Sequence, residues 1–121
     1  MARIMIVDDS PTDVENLKGM LTKAGHTVVE CTSGQDAIAR VKAEKPNAVI
    51  MDVVMPGVNG FQATRMLSKD PDTSNIPVII VSSKNQETDR VWALRQGARE
   101  YLTKPVKDAD LIAKINSVLG A

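Results

Sequence analysis

Asp8-Asp9, Asp52, Ser82-Ser83 and Lys104-Pro105 hold the side chains best suited to chemistry in this 121-residue chain. Asp8-Asp9 follows the apolar run Ile4 to Val7, Asp52 follows Ala48 to Met51, and Ser82-Ser83 follows Val78 to Val81. Thr103-Lys104-Pro105 comes after a weaker run, Glu100 to Leu102. Carboxylates brought together at such positions repel and raise one another's pKa values unless a cation compensates them. Asp8, Asp9 and Asp52 offer only oxygen, the donor set of a hard divalent cation such as Mg²⁺, which keeps several waters and takes one or two carboxylates and a phosphate oxygen. A carboxylate beside such a cation can attack a phosphoryl donor, the metal screening the incoming charge. Ser82 and Lys104 are suited to hold the phosphoryl oxygens.

The elements that must position these residues are readable from their flanks. The apolar runs are continuous rather than alternating, rich in β-branched residues and sharply ended, which suits buried strands of a parallel sheet covered on both faces. Thr27 to Cys31 and Glu100 to Leu102 supply two further strands. Ser10 can cap a first helix with Pro11 at its first position, and Gly25 stops it after Leu17, Leu21 and Ala24. A second helix follows Ser33-Gly34 with Ala37, Ile38 and Val41 and closes before Pro46. A third runs from about Gly60 to Lys69, a fourth from about Asn85 to Gln96 with Gly97 as its stop, and a fifth from Asp108 to Leu119. Ser68 to Asn75 reads as a polar surface excursion. Five strands alternating with five helices make an α/β fold with a doubly wound five-stranded parallel sheet. Ligands in such sheets bind outside the carboxyl ends of the strands, where the acidic residues lie.

Length and composition bound the alternatives. The chain fits one domain, residues 1–121, and its 43% hydrophobic and 25% charged residues are those of an ordinary globular protein. Fifteen basic residues balance fifteen acidic ones, so no overall field draws nucleic acid. The single cysteine, Cys31, excludes an internal disulfide, and with one histidine it cannot build a structural zinc site. The N-terminal apolar run is cut off by Asp8-Asp9, and nothing approaches the ~20 apolar residues of a membrane span. With three aromatics, Phe61, Trp92 and Tyr101, a stacking platform for bases or a flavin is hard to assemble.

Val7-Asp8-Asp9-Ser10, Met51-Asp52-Val53-Val54-Met55-Pro56-Gly57-Val58-Asn59-Gly60 and Leu102-Thr103-Lys104-Pro105, in this order and at successive strand ends, resemble the receiver domain of bacterial two-component response regulators along the whole chain. The resemblance implies a CheY-like, flavodoxin-like sheet in the order 2-1-3-4-5 with no output domain. It implies Asp52 as phosphoacceptor and Mg²⁺ held by Asp8, Asp9, Asp52 and the backbone carbonyl of Val54. Ser82 and Lys104 would contact the phosphoryl group, Lys104-Pro105 would be a cis peptide, and Ser82 and Tyr101 would form a switch biased by one local charge. Val54 and Lys84, flanking the reaction site, would tune how fast the phosphoryl group is lost. The segments Met55 to Arg65, Lys84 to Trp92 and Arg95 to Ala98 are similar to stand-alone receivers of the PilH type, which serve type IV pilus twitching. That likeness implies a chemotaxis-like histidine kinase as phosphodonor, a downstream protein target at the pilus machinery, and a role as effector or phosphate sink. The expectation is a cytoplasmic, monomeric signalling protein, with dimerisation on activation left open, whose own chemistry is phosphoryl transfer and autodephosphorylation.

Other readings stand beside these. A haloacid dehalogenase-type phosphatase also forms an aspartyl phosphate, but needs Asp-x-Asp at the first strand and a cap domain. A flavodoxin-like carrier needs a hydroxyl-rich phosphate loop where Asp8-Asp9 would repel phosphate. A receiver that binds partners without phosphorylation is opposed by the complete acidic set with Lys104. Ser82 or Ser83 can equally cap the fourth helix, and Tyr101 can be an ordinary half-buried strand residue. In the fourth helix Val91, Leu94 and Ala98 are expected to face inward, leaving Trp92, about 100° round the helix from Val91, partly exposed. With Arg95 it is either a partner anchor or a side chain lying over its own helix. His26 reads as a turn residue, Cys31 as a small buried hydrophobe, and Met51, Met55 and Met66 as packing. No helix-turn-helix follows the fifth helix, so output is expected to be protein–protein, through the fourth helix, fifth strand and fifth helix.

Overall fold

The computed structural model describes residues 1–120. Along the chain run β1 (Arg3–Val7), α1 (Pro11–Lys23), β2 (Thr27–Cys31), α2 (Gly34–Glu44), β3 (Ala48–Met51), α3 (Gly60–Lys69), β4 (Val78–Ser82), α4 (Glu87–Arg95), β5 (Glu100–Thr103) and α5 (Asp108–Leu119). All five strands are parallel, in the order β2-β1-β3-β4-β5. The order turns back at β1 and β3, whose register pairs Val7 with Met51. Asp8 and Asp52 therefore leave adjacent strands side by side at the topological switch point, where open α/β sheets bind ligands.

Alternate strand residues point to opposite faces, and each face has its own core. Ile4, Ile6, Ile50, Ile79 and Val81 pack against Val14, Leu17 and Leu21 of α1 and Leu111 and Ile115 of α5. Met5, Val7, Val49, Met51 and Ile80 pack against α2, α3 and α4. Burial on both faces explains why the central strands read as unbroken apolar runs. Ser10 accepts the Asp13 backbone N–H (3.3 Å) to start α1, and Ser33 accepts that of Asp36 (3.1 Å) to start α2. At α3, Asn59 and Gln62 form a reciprocal capping box with both bonds at 2.9 Å.

One helix faces otherwise than the apolar pattern predicts. Helix α4 spans Glu87–Arg95 rather than Asn85 to Gln96, and the residue it buries is Ala93. Ala98 is buried as expected, but Val91 and Leu94 are 37% and 39% exposed beside Trp92 at 50%. A polar tie to α3 at the end of the helix accounts for this rotation, beside a local cap at its start. The Asp89 carboxylate accepts the Gln86 N–H, and the Gln96 carbonyl accepts the Ser68 hydroxyl of α3 at 3.1 Å. Asp89, Ala93 and Gln96, at helical spacing, thus form the inward line. The exposure of Trp92 is as expected.

Two other singletons are structural. Cys31 is buried, and burial pushes its thiol up to about 11, so it stays protonated and inert near neutral pH. His26 is also buried, and its Nδ1 accepts the Ala2 backbone N–H at 3.0 Å, tying the turn before β2 to the chain start. The polar segment after α3 is pinned by Thr73, whose hydroxyl donates to the Leu67 carbonyl at 2.6 Å. Among the described residues, no helix is long and apolar enough to cross a membrane.

Candidate functional site

Asp8 directly follows β1 and is almost fully buried. One carboxylate oxygen accepts the Ser10 backbone N–H at 2.9 Å, which turns the chain into the cap of α1, and the other accepts Lys104 Nζ at 2.9 Å. Asp9, the next residue, is exposed. Asp52 directly follows β3, is 8% exposed, and accepts the Val53 N–H at 2.9 Å. Oxygens of Asp8, Asp9 and Asp52 lie within 4.8 Å of one another.

The electrostatics of this cluster are uneven. Burial first, and then the charge of Asp8, push the Asp52 carboxyl up to about 6, although Lys104 and the Val53 N–H pull the other way. For Lys104, burial alone would lower the pKa. Hydrogen bonds to Asp13 and Asp8, with the charge of Asp52, outweigh it and hold the ammonium well above its usual value. Lys104 Nζ lies 2.7 Å from Asp13 Oδ2 and 3.6 Å from Asp52 Oδ1. One ammonium thus stands against four carboxylates.

That excess of negative charge, presented entirely by oxygen, fits a hard divalent cation. Two of the three clustered carboxylates are buried, where uncompensated charge is costly. The fit rests on the donor set and its packing.

The structure brings together Asp8, Asp9, Asp52 and Lys104, all expected from the sequence. Asp13 is an addition. It stands four residues before Leu17 and eight before Leu21, at the head of the buried stripe of α1; an acidic residue in line with an apolar face was the signal available. Ser82 is fully buried, and its Oγ accepts the Lys84 N–H at 3.2 Å. Tyr101 packs half-buried against the core, and its hydroxyl donates to the Lys84 carbonyl at 2.7 Å. Both members of the expected switch are therefore tied to the same residue. The Lys104-Pro105 peptide is cis. The Val54 side chain is 61% exposed beside the cluster, whereas Trp92 and Arg95 lie on the exposed side of α4.

Comparison with known proteins agrees with this geometry. Residues 4–116 match the family described as the response regulator receiver domain. The chain is 60% identical over 120 residues to the protein PilH of Pseudomonas aeruginosa, covering 99% of both chains. It is 37% identical to the response regulator PleD of Caulobacter vibrioides over 97% of this chain, which spans 26% of that longer protein. Among solved structures, the receiver domain of a sensor histidine kinase from Pseudomonas aeruginosa, with a magnesium ion coordinated in its active-site cleft, superposes with a TM-score of 0.91 at 27% identity, covering 99% of this chain and 98% of the other. A CheY-like receiver domain protein from Methanospirillum hungatei gives 0.90 at 27% identity, over 99% and 94%. Receiver domains bind Mg²⁺ at an acidic pocket, take their phosphoryl group from a histidine kinase and pass a signal to a downstream target. With its sheet order, its acidic crevice and its match from residue 4 to residue 116, this chain belongs to the response regulator receiver domains of two-component signalling and is a homologue of PilH.

Proposed function

We propose that the chain works as a single cytoplasmic receiver over residues 1–121, that Asp52 accepts a phosphoryl group from a chemotaxis-like histidine kinase, and that the switched protein controls type IV pilus twitching. The observation that carries the first part is the buried Asp52 carboxylate, with two further carboxylates within 4.8 Å and Lys104 Nζ at 3.6 Å. The pilus assignment is supported by the 60% identity to PilH over nearly the full length of both chains.

In the transfer, an Asp52 carboxylate oxygen attacks phosphorus and forms the new O–P bond. The P–N bond of the donor phosphohistidine breaks, and its imidazole leaves with the electron pair and takes up a proton. Mg²⁺, held by Asp8, Asp9, Asp52 and the Val54 carbonyl, would screen the charge of the incoming group. Asp8 keeps its place through the Ser10 N–H, so its oxygens are presented before any ligand arrives. Lys104 and the Ser82 hydroxyl receive the phosphoryl oxygens. The movement of the Ser82 hydroxyl toward the phosphoryl group pulls on the Lys84 N–H it accepts, and the same residue's carbonyl holds Tyr101, so the change reaches the α4–β5 surface bearing Trp92 and Arg95. Val54 and Lys84 flank the phosphoryl group and set how readily water removes it by autodephosphorylation.

The test needs no kinase. Incubation of the purified protein with Mg²⁺ and acetyl phosphate or phosphoramidate should add one phosphoryl group, detected by mass and mapped to the peptide containing Asp52. The gain should vanish when EDTA replaces Mg²⁺. A chain that stays unmodified with both donors and with a chemotaxis-type kinase would instead be a phosphorylation-independent binding module.

Lys104→Ala separates chemistry from signalling. The variant should still gain the phosphoryl mass while losing the change in Tyr101 environment that phosphorylation causes in the wild type, read by fluorine NMR on fluorotyrosine. Because Tyr101 is the chain's one tyrosine, the signal has no overlap. A normal Tyr101 response in Lys104→Ala would contradict the role given to Lys104.

A further inference from the structure

Lys104 is bonded most closely to a carboxylate outside the acidic triad. Of its three N–H donors, one goes to Asp13 at 2.7 Å and one to Asp8 at 2.9 Å, while Asp52 at 3.6 Å is beyond hydrogen-bond reach. Asp13 is placed there by the helix cap. Its backbone N–H donates to Ser10 Oγ, and the Ser10 N–H donates to Asp8, so Asp8, Ser10, Asp13 and Lys104 close a ring.

We propose that Asp13 is a positioning residue that holds the Lys104 ammonium off Asp52 in the unphosphorylated protein, and that engagement of a phosphoryl group draws Lys104 away from Asp13. This inference rests on Asp52 being the phosphoacceptor. Asp13 is the releasable partner of the two carboxylates because of where each sits. Its side chain is 35% exposed and is rehydrated when the lysine leaves, whereas that of Asp8, at 2%, has no such recourse. Lysine suits the exchange, being a compact charge on a flexible stem. A cleft of about 280 Å³ between α1 and the start of the β5–α5 loop, lined by Asp13, Leu17, Met20, Lys104 and Pro105, gives the stem room to move. Asp13 thereby sets the threshold at which the switch engages.

The probe is beryllofluoride, a mimic of the phosphoryl group, at saturating Mg²⁺. Its dissociation constant is measured by calorimetry for the wild type, Asp13→Asn, Lys104→Ala and the double variant. Asp13→Asn should bind about fivefold tighter than the wild type, as expected for loss of one competing, partly exposed ion pair. The gain should disappear in the Lys104→Ala background, because only the lysine transmits it. An unchanged or weaker affinity in Asp13→Asn overturns the proposal, as does an equal gain with Lys104 already removed, which would mean plain charge repulsion across the site. A purely structural Asp13, acting on the N-terminal dipole of α1, would lower the urea midpoint and leave the dissociation constant alone. Failure of the wild type itself to bind beryllofluoride with Mg²⁺ would overturn the phosphoacceptor reading, and this inference with it.

Discussion

Asp52→Asn is expected to accept no phosphoryl group from acetyl phosphate and Mg²⁺, and to be more stable than the wild type at pH 7 when Mg²⁺ is withheld. The first half follows because an amide lacks the nucleophilic carboxylate oxygen. The second follows from linkage. The folded-state pKa of Asp52 is raised from the ordinary 3.8 to about 6, so the folded protein holds this proton more tightly than the unfolded chain does. Stability therefore falls as pH rises from about 4, and the loss is complete once pH passes the folded value near 6. A rise from 3.8 to about 6 corresponds to about 3 kcal/mol of strain carried by the ionised carboxylate at neutral pH. Asparagine removes that charge while its side-chain oxygen can still accept the Val53 N–H. Urea unfolding in EDTA should place Asp52→Asn about 2 to 3 kcal/mol above the wild type at pH 7, with the gap nearly closed at pH 4. Added Mg²⁺ should narrow the difference at pH 7 if, as proposed, it binds the acidic cluster of the folded wild type. Equal midpoints at pH 7 in EDTA would mean that Lys104 already compensates Asp52. Such instability in the ligand-free state is what a site built to receive a cation carries.

Much of this site was readable because the fold turns on strand ends. Each buried strand of a doubly wound sheet is a short apolar run, and the residue that terminates it lies on the ligand-binding edge. Asp8, Asp52 and Ser82 could thus be grouped before any coordinates, and β1 and β3 prove to be the adjacent strands at which the sheet order reverses. What stayed hidden depends on tertiary hydrogen bonds. The rotation of α4 is set by the tie between Gln96 and Ser68, a side chain-to-backbone bond 28 residues apart, which no apolar periodicity encodes. The partnership of Asp13 with Lys104 spans 91 residues and appears only when α1 is laid against the loop after β5. The double use of Lys84, its N–H by Ser82 and its carbonyl by Tyr101, is a backbone property that residue type does not report.

Gly60→Ala is expected to be among the most damaging single-methyl additions available in this chain, and the reason lies in the same loop that carries Asp52. A Cβ built on Gly60 would lie 1.9 Å from the Asp52 carbonyl oxygen and 2.8 Å from both the Asp52 carbonyl carbon and Val53 Cα. All three are backbone atoms, so no side chain can rotate away. The Gly60 N–H donates to the Val53 carbonyl at 2.9 Å, which ties the first turn of α3 to the segment after β3, and within the helix the Gly60 carbonyl accepts the Thr64 hydroxyl at 2.7 Å. Relief requires either withdrawing α3 or displacing the peptide after Asp52, which also moves the segment leading to Val54. Overpacking of this kind costs about 3 kcal/mol or more. The unfolding free energy should fall by that amount, read as a lower urea midpoint with the slope unchanged, and any folded fraction should bind Mg²⁺ more weakly than the wild type. Gly19→Ala provides the control. Gly19 sits inside α1 with nothing within 4 Å of its Cβ position, so alanine there should raise stability by about 0.5 to 1 kcal/mol through helix propensity alone. Opposite signs for the same methyl group at the two glycines would locate the effect in the approach of α3 to Asp52. A Gly60→Ala variant as stable as the wild type would show that the loop after β3 can yield by more than an ångström without cost, and that α3 does not fix the position of Asp52.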